Sequence, residues 1–204
     1  MSALPQTLLR APIVLAALLF ATLSIAGCGI NNIPTYEEQA KASFAEVQNQ
    51  YKRRADLIPN LVDTVKGYAG QESKVLKEVI EARSKAVQVT LPADVLTNPE
   101  AMKKFQDAQA GLNNALQGMR GLTEAYPDLK SNQNFLQLQS QLEGTENRIG
   151  VARRDYILAV QQYNTELVTI PGRWWRSLMY PAAKEMVQFE ATAQEQATPK
   201  VNFN

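Results

Sequence analysis

Between Phe135 and Leu167 apolar or small side chains recur three and four residues apart without a miss: Phe135, Leu138, Leu142, Thr145, Ile149, Ala152, Tyr156, Ala159, Tyr163 and Leu167, with Ile170 three further on. An average spacing of 3.5 residues is the signature of a helix that packs with a left-handed twist against neighbouring helices. Pro171-Gly172 ends the pattern. A helix of about 40 residues rises roughly 60 Å, so this element alone sets an elongated shape.

A similar stripe runs earlier, through Ala40, Phe44, Val47, Tyr51, Ile58, Leu61, Val62, Val65, Val75, Val79 and Ala86. Pro59 lies inside it, and an interior proline removes one helical hydrogen bond and crowds the preceding turn. Because Asn60 to Val65 continues the stripe, the spacing predicts one helix that kinks at Pro59 and carries on. Lys74, Glu78, Glu81 and Lys85 form a solvated charged face on its later part. "TLPADVLTNP" (90–99) breaks the pattern, and Asn98-Pro99-Glu100 supplies a cap, a first-turn proline and an acid for a second helix. Its stripe is Phe105, Ala108, Leu112, Ala115, Met119, Leu122 and Tyr126, stopping before Pro127. A shorter helix is predicted over Ala182–Ala193, and an extended tail over 196–204. Strand alternation, phosphate-binding glycine loops and repeat periods are absent from the pattern. The predicted fold is all-α: an elongated antiparallel bundle of three long helices, the first kinked at Pro59, plus a short C-terminal helix.

The N-terminus has a different pattern. Arg10 precedes an unbroken apolar or small-residue run, Ala11 to Gly27, that gives way to polar residues after Cys28. A basic start, an apolar middle and small residues at the end describe a secretory signal, although a run extended to Ile30 would just reach membrane-spanning length. Ile25-Ala26-Gly27-Cys28 resembles the bacterial lipobox, in which cleavage exposes the cysteine and its sulfur receives a diacylglyceryl group. On this reading 1–27 is a signal peptide and 28–35 a tether, kept out of helix by Pro34. Residues 36–195 form the bundle domain, and Cys28 is an anchor stable through more than one acyl chain. The expected location is the cell envelope, outside the cytoplasm. Gly29, where an Asp would resemble an inner-membrane retention signal, favours the periplasmic face of the outer membrane in a host with two membranes.

Composition then narrows the chemistry. The 204 residues hold 21 basic and 20 acidic side chains, one cysteine and no histidine. Near-neutral charge gives no electrostatic reason to expect nucleic acid. Without histidine the commonest general base, metal ligand and pH switch are all missing, and a lone cysteine builds neither an internal disulfide nor a cysteine-only zinc site. The expectation is a non-enzyme with no cofactor, metal or catalytic residue.

One charge group stands out. Glu146, Arg148, Arg153, Arg154 and Asp155 have no opposite charge three or four residues away, unlike most charges of the first helix's later part. Three uses fit them. They face water; or they pair across helices with Arg53, Arg54, Asp56 and Asn60, fixing register through a network that must be complete to offset burial; or they bind an anionic small ligand or peptidoglycan fragment.

"RRADLIPNLVDTVKGYAGQE" (53–72), "ENRIGVARRDYILAVQQYNTELVTIP" (146–171) and the closing "FEA…PKVNF" (189–203) together resemble the LemA family. Arg53, Arg54, Asp56, Pro59 and Asn60 match its first block, and Asn147, Arg148, Arg153, Arg154, Tyr163 and Asn164 its second. The resemblance implies a membrane-attached, all-helical protein with an antiparallel bundle outside the cytoplasm and no agreed reaction. Two positions depart from the family pattern: Gln71 stands where many relatives have histidine, and "RWWRSLMYP" replaces a stretch containing phenylalanine and glycine.

That replacement carries both tryptophans, Trp174 and Trp175, between Arg173 and Arg176. They suit a cap on the core, a contact with lipid headgroups, or an anchor for a partner protein. If the first helix leads outward, the second returns and the third leaves again, the tryptophans sit at the end far from Cys28. The expected role is a lipid-anchored helical scaffold or adaptor contacting envelope proteins or copies of itself.

Overall fold

The computed structural model describes residues 29–69, 74–121 and 126–190. Cys28, the segment before it, Gln71 and the tail over 196–204 lie outside the described residues. Six helices account for the fold of the described residues: α1 (Asn32–Ala69), α2 (Lys74–Gln88), α3 (Pro99–Arg120), α4 (Pro127–Ser131), α5 (Gln133–Val168) and α6 (Gly172–Met179), with a 3₁₀ turn at Val95–Thr97. The bundle is all-helical, as the periodicity requires.

α1 and α5 form its spine and run antiparallel. Asn32 reaches Glu166, Arg54 reaches Glu146, and Tyr68 reaches Asn132, so positions climb on one helix as they descend on the other. α2 and α3 pack together as a second hairpin, and α2 also touches α1. Two apolar clusters fill the interior. The lower one joins Ile33, Phe44, Tyr51, Phe105, Tyr156 and Leu167, and the upper one joins Ile58, Val65, Leu76, Leu112, Leu129 and Phe135. In the lower cluster Phe44 sits 5.7 Å from Phe105 and 5.4 Å from Tyr156, ring centre to ring centre, tying three helices together.

The starts of α3 and α5 follow from local chemistry. The Asn98 side chain accepts from the Ala101 N–H at 3.1 Å, with Pro99 in the first turn. Asn132 does the same for the Phe135 N–H at 3.0 Å. At the other end of the spine, Gly172 is pressed so tightly under α5 that a Cβ there would collide with the Glu166 carbonyl oxygen. No other residue allows α6 to fold back this closely.

Four expectations are corrected. The first stripe is two helices, because the chain reverses direction between α1 and α2: Arg83 on α2 lies beside Ala55 on α1. α1 does run uninterrupted through Pro59. Pro34 does not hold a tether out of helix; it falls in the first turn of α1, where its missing N–H would have had no partner, so the tether shrinks to a turn at 29–31. The short helix lies at 172–179 rather than 182–193. Residues 183–190 leave the helix and run along the bundle, because Asn164 bonds the Met186 backbone from both sides, its Nδ2 donating to the carbonyl and its Oδ1 accepting from the N–H, each at 2.8 Å. Finally, the extra reversal between α1 and α2 changes the parity of the bundle. Both tryptophans sit at the end where Gly29 enters, not the far end; a Cβ on Gly29 would lie 3.5 Å from Pro171 Cγ. Ile170, the last position of the long stripe, is beyond α5 and 65% exposed.

The extended segment is held along its length. The Tyr156 hydroxyl donates to the Val187 carbonyl at 2.7 Å, the Val187 N–H donates to Leu96 O at 2.7 Å, and Phe189 meets Tyr156 edge to face, 5.1 Å between ring centres. Burial pushes the Tyr156 phenol above its ordinary range, so it remains a donor. We predict that Asn164→Ala, which strands two partly buried backbone groups, lowers the unfolding free energy by about 2–3 kcal/mol. Urea denaturation measures it, and hydrogen exchange should show 183–190 losing protection first.

Candidate functional site

Between the two apolar clusters lies a polar layer. Arg54, Gln109 and Thr145 are the buried polar residues among those described. Arg54 occupies a stripe position of α1 between Tyr51 and Ile58, where only an apolar side chain would be expected from spacing. Its Nη1 donates to Glu146 Oε2 at 3.0 Å, and its Nη2 donates to both the backbone and side-chain oxygens of Gln109, at 3.1 and 3.0 Å. Gln109 Nε2 in turn donates to the Ala86 carbonyl at 3.4 Å. The guanidinium also lies 5.0 Å from the Tyr51 ring centre, a cation–π contact, while its Nε is buried without a partner. One arginine therefore joins α1, α3 and α5, and through Gln109 reaches α2.

The proline one turn on contributes a second cross-brace. Pro59 has no N–H, so the Ala55 carbonyl four residues earlier loses its helical donor. Arg83 Nε fills that position at 2.8 Å. The proline is accommodated because a side chain of α2 replaces the missing hydrogen bond, which also fixes where α2 lies along α1.

The other charges do not join this centre. Arg53, Asp56 and Asn60 are exposed on α1. Arg148 is exposed and donates to Thr145 Oγ1 at 3.4 Å, and Arg154 pairs with its neighbour Asp155 at 3.4 Å in solvent. Arg153 lies over the Phe189 ring, 5.3 Å from its centre, holding the extended segment. Of the nine residues considered, Arg54 and Glu146 are the pair that meets across helices. Gln109, Arg83 and Asn164 are the partners that spacing did not single out; a stripe position occupied by arginine was the available sign for the first of them.

Two cavities flank the Arg54–Glu146 pair. One, about 180 Å³, is largely apolar, lined by Leu61, Leu116, Met119, Phe135 and Leu142. The other, about 350 Å³, is polar, with Gln106, Asn113, Asn114 and Gln117 of α3 facing Arg153 and Phe189. Amides and a guanidinium can hold hydroxyls, amides or an anion, but they supply no nucleophile paired with a base. Among the described residues no three Asp, Glu, Cys or His side chains are grouped to hold a metal, and no helix is long and apolar enough to cross a membrane. At the bundle's lower end Trp175 packs partly buried on the core, whereas Trp174 is 62% exposed.

Fold and site together define an all-helical bundle braced across its middle by a buried arginine. The LemA family profile matches residues 43–203. The chain belongs to the LemA family. It is 24% identical over 160 residues to magnetosome protein MamQ 2 of Paramagnetospirillum magneticum, covering 71% of this chain and 59% of the relative. It is 24% identical over 139 residues to protein LemA of Metamycoplasma hominis, covering 68% and 59%. MamQ of Magnetospirillum gryphiswaldense is 23% identical over 183 residues, covering 82% and 66%. The chain thus spans about three-fifths of the length of the first two relatives.

Breaking the central pair from either side should have unequal effects. Arg54→Met removes a buried charge and keeps an apolar stem, for an expected loss of about 1 kcal/mol; Glu146→Ala leaves the guanidinium without its counter-charge, and because the Glu146 side chain is half exposed, so that water replaces part of the contact, the loss should be about 2 kcal/mol. The double variant should recover part of that loss, which a thermal-unfolding double-mutant cycle resolves.

Proposed function

We propose that this protein is a membrane-attached, non-enzymatic scaffold: a helical post held at the bilayer through lipid on Cys28 and presenting its sides and upper end to other envelope proteins or copies of itself. The observation that carries the reading is the way the chain enters the fold. Gly29, at φ +94°, begins a three-residue turn closed by the Asn32 N–H on its carbonyl, and α1 follows at once. Only a turn separates the attachment residue from a 38-residue helix, so an anchor at Cys28 would hold the bundle close against the bilayer instead of on a loose leash. The polar interior supports a structural role, since the buried guanidinium of Arg54 is committed to helix contacts.

Cys28→Ala should accumulate an uncleaved precursor without acyl chains, read by intact-mass spectrometry of the membrane fraction. Normal processing of that variant would overturn the lipid anchor. In-cell crosslinking of the acylated protein should then join the upper end of the bundle to another envelope protein or to itself, and reproducible absence of both would remove the scaffold role.

The polar cavity favours a second reading, a binding module for an anionic ligand or peptidoglycan fragment. It requires that a soluble muropeptide raise the melting temperature and that Arg153→Ala abolish the rise while leaving the unliganded stability within about 1 kcal/mol of wild type.

A further inference from the structure

The lower end of the bundle carries an apolar surface that the bundle does not use. Eleven large apolar side chains are exposed among the described residues, and five of them, Val168, Ile170, Trp174, Leu178 and Met179, fall within 168–179. The other six are scattered singly, as on any soluble surface. Within α6, Trp174 and Leu178 stand one helical turn apart, so they share a face. The opposite side of α6 is the packed one, with Gly172 buried and Trp175 against the core. Between Glu166 and Glu185 the sequence has Arg173, Arg176 and Lys184 and no acid. α6 is thus a short helix, apolar outward, with Arg173 exposed beside that face; Arg176 is half-buried towards the packed side, its Nε donating to the Ala183 carbonyl at 3.1 Å.

Its position decides what covers it. α6 and Gly29 share one end of the bundle, with Pro171 in contact distance of Gly29. Gly29 is the residue after Cys28 and the apolar run 11–27. A surface beside the point where an anchor enters faces the bilayer that the anchor enters, leaving little room for a protein partner between them.

We propose that Ile170, Trp174 and Leu178, with Arg173 beside them, seat α6 in the headgroup layer of that bilayer. The inference rests on the attachment reading above. Eight residues are too few to cross a membrane, but an amphipathic helix lies in its interface with the apolar face down. Tryptophan suits that depth because its ring is apolar and its N–H polar, and Arg173 meets lipid phosphates. A lipid alone is one point of attachment and lets the post swivel. α6 supplies a second point and fixes its tilt.

The chain's tryptophans are both in α6, so their fluorescence reports this surface alone. The test uses the full acylated protein in vesicles of phosphatidylethanolamine and phosphatidylglycerol brominated either near the headgroup or near the chain ends. Trp175→Phe leaves Trp174 as sole emitter; it should blue-shift and lose most of its emission to shallow bromine, and much less to deep bromine. Trp174→Phe, leaving the half-buried Trp175, should lose little. If the protein floats with the vesicles but Trp174 stays open to aqueous acrylamide and insensitive to bromine, the attachment stands and the interfacial helix is wrong. A blue shift that follows protein concentration without bromine quenching would assign the face to a second copy and overturn the proposal. Failure to float with the vesicles would sink the attachment reading, and this one with it.

Discussion

Everything in this bundle is arranged around one guanidinium that has no water to turn to. Removing a cation from solvent carries a penalty of several kcal/mol, recovered only if counter-charge and acceptors arrive in good geometry. For Arg54 they arrive from three directions: Glu146 from α5, two oxygens of Gln109 from α3, and the face of Tyr51 from its own helix. Sliding α5 by one turn would move Glu146 about 5 Å away and leave the charge buried alone. Apolar stripes tolerate such slips, because one leucine replaces another in a groove at little loss. A buried arginine does not, so the layer that contributes least to net stability contributes most to register.

The same logic explains the proline. Its missing donor creates a vacancy on a helix carbonyl, and Arg83 is the complementary shape. Two arginines from different helices thus position the second hairpin, Arg54 through the oxygens of Gln109 and Arg83 through a helix carbonyl. Both contacts are made near the middle of α1, so the two apolar clusters lie on either side of them. The polar layer is a partition as much as a brace.

These features explain what could be read from the sequence and what could not. The spine was legible because its stripe is local: Phe135 to Leu167 repeats without needing any other helix, and Asn98 and Asn132 cap through side chains three residues from their targets. The hairpin between α1 and α2 was not, since apolar spacing on Val65 and Val75 looks alike whether the chain continues or doubles back. From that single reversal followed the error in placing the tryptophans. The segment after Pro181 misled for a different reason. Met186 and Phe189 sit at helical spacing, yet both are buried in an extended chain. Its geometry is set by Asn164, which lies 22 residues before Met186 and so leaves no trace in local periodicity. Arg54 and Glu146 could be picked as charges lacking local partners. Gln109 could not, because one amide among many on α3 carries no mark of being buried.

The clasp formed by residues 183–190 has a bearing on how the molecule is made. It bridges Asn164 and Tyr156 on the spine to Leu96 in the connection between α2 and α3, so it stitches one hairpin to the other. These residues follow every described helix of the bundle in chain order. Every helix can be present before them, yet this last tie between the hairpins is made only when they arrive. Completion of the bundle is therefore a test of chain integrity: a polypeptide that stops before residue 183 keeps its long helices but loses this clasp between them.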